Sequence, residues 1–150
     1  MESKQILLLE INSNMKLKLV TENDALFLHD LLKARDSLVN ISHKKVPSYS
    51  EHVNFILSNP YTAWYIIEYE EEKIGSAYLS KQDEIGIFLT DDSLYDKIGK
   101  SVINLLIKNN PRKRYLANVS PQNKKLQNFF VNNGFTGLEY TYEMITENDS

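Results

Sequence analysis

The chain contains no cysteine. Disulfides, thiol nucleophiles and zinc–thiolate sites are thereby excluded, and a reducing compartment is the natural setting. No long apolar run is present either: the stretch at 6–9, ILLL, is far too short to span a bilayer. The N-terminus has neither the basic start nor the small-residue cleavage site of a secretory signal, so a cytoplasmic location without membrane insertion is expected. Basic charge is not in excess. Lys and Arg number 17 against 20 Asp and Glu, a net charge of −3, the reverse of a nucleic-acid surface. The 3 histidines show no metal-ligand spacing, so no metal is expected. The 5 glycines and 4 prolines gather in no linker, and there is no repeat or low-complexity tract. A single domain, 1–150, is the simplest organisation.

What is present reads as alternating strands and helices. Residues 5–11 and 15–20 have strand character around the polar turn Asn12-Ser13-Asn14. Thr21 with Asp24 forms a capping-box pattern, and Ala25, Leu28, Leu31 and Leu32 make the stripe of a first helix ending near Arg35, with His29 on its polar face. After an irregular 36–47, Pro47-Ser48 opens a second helix carrying Val53, Ile56 and Leu57, and Asn59-Pro60 stops it. Strands follow at 63–68, 73–80 and 84–89, with turns short enough to imply an antiparallel meander. Trp64 and Tyr65 are expected in the core. Residues 91–97 read as a loop before a third helix marked by Ile98, Val102, Leu105 and Leu106, which ends at Asn109-Asn110-Pro111.

The stretch 115–135, YLANVSPQNKKLQNFFVNNGF, is the densest signal. It combines a strand around Leu116, Ala117 and Val119, Ser120 as N-cap with Pro121 at the first helical position, Leu126, Phe129 and Phe130 at helical spacing, and an Asn133-Gly134 stop. A last strand is expected at 138–145. The order V-x-x-x-N, six residues, F-x-x-x-G-F resembles the final conserved block of the GCN5-related N-acetyltransferase (GNAT) family, and the element order from about residue 7 to 145 is similar to that family's. The resemblance implies an α/β fold with a mixed, mostly antiparallel twisted sheet. It would be splayed between strands 84–89 and 115–119, with helices on both faces and acetyl-coenzyme A as cosubstrate.

The same resemblance distributes roles. In the strand 84–89, EIGIFL, backbone groups of Ile87, Phe88 and Leu89 would pair with the pantetheine arm and hold the thioester carbonyl near an N–H. The segment from Leu94 to Gly99 stands where the family has Q/R-x-x-G-x-G/A. It keeps only Gly99, with Leu94 at the polar first position and Lys97 at the first Gly. Tyr95, Asp96, Lys97, Ile98, Gly99, Lys100 and Ser101 are the expected phosphate-side residues. Asn123, Phe129 and Phe130 complete the cofactor set. Phe130 stands where many members place a proton-donating Tyr, and Asn118 where some place a glutamate base. Glu84 is therefore the leading base candidate, with His43 a second catalytic candidate, and His52 and Tyr78 the acceptor-contacting residues. The acceptor that the resemblance favours is an amino-sugar nucleotide of surface-polysaccharide synthesis. Protein or peptide N-acetylation and a non-catalytic coenzyme A-binding module are the alternatives, and a homodimer is compatible with either.

Overall fold

The computed structural model describes residues 14–35 and 46–147; the strand expected at 5–11 and His43 lie outside them. Alternating apolar residues build a four-stranded sheet in sequence order: β1 (Met15–Leu19), β2 (Ala63–Tyr69), β3 (Glu72–Leu79) and β4 (Ile85–Leu89). Every neighbouring pair is antiparallel, as the short turns require. Between β2 and β3, Glu70 and Glu71 adopt positive φ of 50° and 68°. Two left-handed residues in succession give the hairpin twist that matches paired strands.

Side-chain alternation assigns the two faces. Ile67, Leu79, Ile85 and Ile87 turn to one side, where α3 (Leu94–Asn109) and α4 (Lys124–Asn132) bury Ile98, Val102, Leu106, Leu126, Phe129 and Phe130 against them. Trp64 and Ile66 turn to the other, under Ala25 and Leu28 of α1 (Ala25–Ala34) and Ile56 of α2 (Tyr49–Leu57). Each fully buried side chain such as Ile66 or Leu106 contributes about 1.5–3 kcal/mol. The helix starts follow their local chemistry. Thr21 N–H donates to Asp24 Oδ2 at 2.8 Å ahead of α1. In α2 a reciprocal box joins Ser48 and Glu51, with Glu51 N–H on Ser48 Oγ at 3.2 Å and Ser48 N–H on Glu51 Oε1 at 3.1 Å.

The structure corrects five expectations. His29 is buried rather than on a polar face, with Nε2 2.8 Å from the Pro47 carbonyl. α3 begins at Leu94, not Ile98, because Asp91 Oδ1 takes both the N–H and the hydroxyl of Ser93 at 2.9 Å and turns the chain into the helix there. Residues 115–119 make only one bridge to the sheet, Leu116 to Glu84 in parallel. Ser120 heads a turn, accepting Gln122 N–H at 3.3 Å on Oγ, and Asn123 is the N-cap of α4, its Oδ1 accepting Leu126 N–H at 3.1 Å. Residues 138–145 form no strand: Leu138, Tyr140, Tyr142, Met144 and Ile145 are exposed.

The stop after α4 is as expected. Gly134 has φ 94°, its N–H reaches the Val131 carbonyl at 3.1 Å, and Phe135 N–H reaches Phe130 at 3.0 Å. The Phe130 and Phe135 rings meet with centroids 5.0 Å apart, which supplies the apolar contact of a Schellman cap.

Candidate active site

The site grows from the free edge of β4. Glu84 C=O accepts from Ser80 N–H, just past β3, at 2.8 Å, and Thr90 N–H donates to Ile74 C=O of β3 at 2.8 Å. Antiparallel alternation therefore turns the backbone groups of Gly86 and Phe88 inward, and those of Ile85, Ile87 and Leu89 outward. Ile85 N–H finds Leu116 C=O at 2.7 Å, and Leu116 N–H finds Asp83 C=O at 3.0 Å. Beyond this bridge, no further backbone pairing joins β4 to 117–119 among the described residues, so the sheet opens into a cleft closed at Glu84. Of the three residues expected to present backbone to a ligand, Ile87 and Leu89 face the cleft. The Phe88 backbone does not, because it is committed to Ser76 of β3.

At the closed end, Glu84 accepts from Ser80 Oγ at 3.0 Å on one carboxylate oxygen and from Asn118 Nδ2 on the other. The two positions where acid–base groups were sought on separate strands are thus in direct contact. Glu84 lies on the α1/α2 face in register with Gly86 and Phe88. Above them Tyr78 stacks on Tyr61 (4.1 Å, 7°), and Trp64 Nε1 is tied to Ser76 Oγ at 2.7 Å. A Cβ on Gly86 would lie 2.2 Å from the Tyr78 ring, so glycine is what lets that ring lie flat on the strand. Burial pushes the Tyr61 hydroxyl up to about 12, with Tyr78 adding to it, and also raises Tyr78, where Glu84 adds a smaller upward push. Both phenols are neutral donors at ordinary pH.

His52 is buried among these rings, 5.7 Å from His29, 6.2 Å from Phe55 and 6.3 Å from Trp64. Its Nε2 has no partner among the described residues, and burial, then His29, pulls its pKa down. Its ring packs on Trp64, which in turn meets Tyr61 at 4.9 Å between centroids. Arg35, at the end of α1, lays its guanidinium 3.6 Å above the Phe88 ring centre on the same face.

The cofactor-side residues divide. Tyr95 reaches into the cleft, where its hydroxyl donates to Ile87 C=O at 2.8 Å. Burial, then Asp92, pushes that hydroxyl up to about 12. Asp96 and Lys100 line a cavity of about 440 Å³ between α3 and α4, with Lys125, Asn128 and Phe129. Lys97 points elsewhere, its Nζ 5.3 Å over the Tyr69 ring. Ile98, Phe129 and Phe130 are core residues. Gly99 is a packing glycine, because a Cβ there would sit 2.3 Å from Phe129 Cε1, and with the helix starting at Leu94 it cannot belong to a loop. Ser101 is half-buried in α3. Asn123 uses its Oδ1 to cap α4.

Arg35, Tyr61 and Ser80 were not singled out from sequence. A basic residue at a helix C-terminus is ordinary dipole complementation, and nothing local marks it as turned inward. Among the described residues no group of three His, Cys, Asp or Glu gathers as a metal site, and no helix is long and apolar enough to cross a membrane.

No family model matches the chain, and no curated protein matches it. Solved structures do. A domain from Methanocaldococcus jannaschii DSM 2661 superposes with a TM-score of 0.73 at 23% identity, over 86% of this chain and 92% of that one. Spermidine N-acetyltransferase from Vibrio cholerae, a dodecamer, gives 0.69 at 16%, over 91% and 87%. AAC(6')-Ib in complex with ribostamycin and coenzyme A gives 0.66 at 19%, over 82% and 83%. At such identities the likeness is one of architecture: the chain has the GNAT-like α/β fold, an antiparallel sheet with helices on both sides.

Proposed function

We propose that this is a single cytoplasmic acetyltransferase domain that moves the acetyl group of acetyl-coenzyme A to a primary amine by direct attack in a ternary complex. The observation that carries the reading is the split edge of β4, where Ile87 and Leu89 turn outward beside the Glu84 carboxylate. An extended thioester arm lying along that edge would extend the sheet. Its carbonyl would lie near an outward N–H able to stabilise the developing oxyanion. The amine would arrive from the α1/α2 face, past Tyr61, Tyr78 and Phe88. Its nitrogen bonds to the acyl carbon as the carbon–sulfur bond breaks, Glu84 takes the amine proton directly or through water, and the thiolate departs. Without cysteine there is no thiol acyl-enzyme to intervene.

The residues fit coenzyme A unevenly. The arm fits the cleft, where it must replace the Tyr95 hydroxyl at Ile87. The N-terminus of α3 is less apt for the diphosphate, because Asp91 already places a carboxylate on Ser93 N–H. Lys100 and Lys125, beside the cavity between α3 and α4, supply the cationic alternative. For the acceptor we favour an amino-sugar nucleotide. The flat aromatic wall of Tyr61 and Tyr78 suits a sugar ring, and Asn118 and Phe130 at the two proton-transfer positions disfavour protein or peptide acetylation. A homodimer is supported by the exposed apolar side chains of 138–145 and is checked by light scattering. The reading is tested by a turnover screen with acetyl-coenzyme A against amino sugars, polyamines and peptides, monitored by thiol release. Coenzyme A binding in calorimetry with no release from any amine would leave only a binding module.

A further inference from the structure

We infer that Arg35 is the acceptor's anion-recognition residue, so that the amine acetylated here carries a carboxylate or phosphate group. The inference rests on the acetyltransferase reading above and narrows its substrate class. Arg35 is the C-cap of α1, in an extended conformation with φ −69° and ψ 127°. The guanidinium stacks 3.6 Å from the centre of the Phe88 ring and lines a cavity of about 530 Å³ with Leu31, Ala34, Phe88, Leu89 and Tyr95. Its Nε is buried with no hydrogen-bond partner among the described residues.

A half-buried cation with no counter-ion among the described residues is costly, and stacking on an aromatic face offsets only part of that cost. Three carboxylates, Asp30, Asp91 and Asp92, also line the cavity. Asp30 pairs with Lys33 at 3.3 Å, Asp91 is held by Ser93, and neither these nor Asp92 forms an ion pair with Arg35. Among the described residues, the groups that act on its charge are the phenols of Tyr78, Tyr95 and Tyr61, which are neutral at ordinary pH. A planar fork of donors held flat, with its Nε unpaired among the described residues, matches a carboxylate or phosphate in two-pronged fashion.

The cavity reaches Leu89 and Tyr95 on the cofactor edge, but the guanidinium stacks on the other face of the strand, at Phe88, which points to the acceptor's anion. Phe88 and Glu84 point to the same face of β4, two pleats apart along the strand, whereas the coenzyme's arm would use the outward backbone of Ile87 and Leu89. An acceptor anchored on Arg35 therefore extends its amine along the Tyr78 wall towards Glu84. Polycationic amines would place positive charge against the guanidinium and are disfavoured.

The test compares glucosamine with glucosamine 1-phosphate, and spermidine as the cationic contrast, on wild type, Arg35→Lys and Arg35→Gln. Expected are a KM at least tenfold lower for the phosphate ester, loss of that preference in Arg35→Gln, partial retention in Arg35→Lys, and coenzyme A affinity within twofold throughout. A wild type that prefers spermidine, or a KM ratio untouched in Arg35→Gln, overturns the assignment. So does a tenfold loss of coenzyme A affinity with the acceptor ratio intact, which would give the anion to the coenzyme. If no amine is turned over, the transfer reading fails on its own. Calorimetric binding of glucosamine 1-phosphate to wild type and Arg35→Lys, lost in Arg35→Gln, still decides the role of Arg35.

Discussion

Replacing Glu84 by Gln separates a proton acceptor from a clasp. The carboxylate takes a hydrogen bond on each oxygen, from Ser80 Oγ at 3.0 Å and from Asn118 Nδ2. Glutamine keeps one acceptor and sets an NH2 against the other donor. The Asn118 side chain is exposed and can turn its own oxygen round. The net structural loss is then one charge-assisted bond at the weaker end, about 1.5 kcal/mol. For a domain of this size that lowers the melting temperature by roughly 3–6 °C. Loss of a positioned base costs far more, about 10²–10⁴-fold in turnover, or roughly 3–5 kcal/mol of barrier. Ser80→Ala removes one of the same hydrogen bonds and keeps the carboxylate. It should show a similar thermal shift with less than a tenfold loss of turnover. A thiol reagent gives a clean assay, since the chain contributes no thiol of its own. Full activity of Glu84→Gln from about pH 6 to 9, or an equal loss in Ser80→Ala, would refute the base assignment.

Three further outcomes follow from the packing. Phe130 is 6% exposed between Phe129 and Phe135, so the hydroxyl of Phe130→Tyr finds no water and destabilises by about 1–3 kcal/mol; turnover should rise less than tenfold, and a gain of several hundredfold would show that a needed acid is missing. Ser48→Ala removes the N-cap of α2 at about 0.5–2 kcal/mol in thermal unfolding, with coenzyme A affinity unchanged; an affinity loss would tie α2 to the cofactor. For Asp24, burial acts to raise the pKa, but Lys73 at 2.9 Å and the Thr21 donors hold it below 3.8. A folded pKa below the unfolded one contributes stability above about pH 3.8 that vanishes as pH falls through the folded value. The urea midpoint of wild type should therefore exceed that of Asp24→Asn at neutral pH and converge with it in acid, and a gap that widens in acid would reverse the argument.

Much of this fold was legible because its signals are local. The capping box at Thr21, the helix start at Pro47-Ser48 and the Gly134 stop depend on residues a few positions apart. So do the three-strand meander and the α4 stripe. What failed depended on partners. Residues 138–145 alternate as a strand does, but alternation does not supply a neighbouring edge. Gly99 looked like a phosphate-loop glycine until Phe129, thirty positions away, proved to be lying on it. His29 reads as polar in sequence because the Pro47 carbonyl that satisfies it is contributed by another segment. Within the site, Glu84, Tyr78 and the β4 edge were accessible from sequence. Arg35 was not, since the Phe88 ring on which it stacks is contributed by a strand far along the chain.

The alternation along β4 has a consequence for solvent exchange. Gly86 and Phe88 amides are secured against β3, so their deuterium uptake reports the opening of the sheet as a whole. The Ile87 amide lies between them but faces the cleft, and exchanges through whatever water occupies it. A ligand arm that settles along this edge would slow Ile87 and leave its two neighbours at their former rates. Over three consecutive residues, the exchange pattern alone distinguishes an occupied cleft from a sheet that has merely become stiffer.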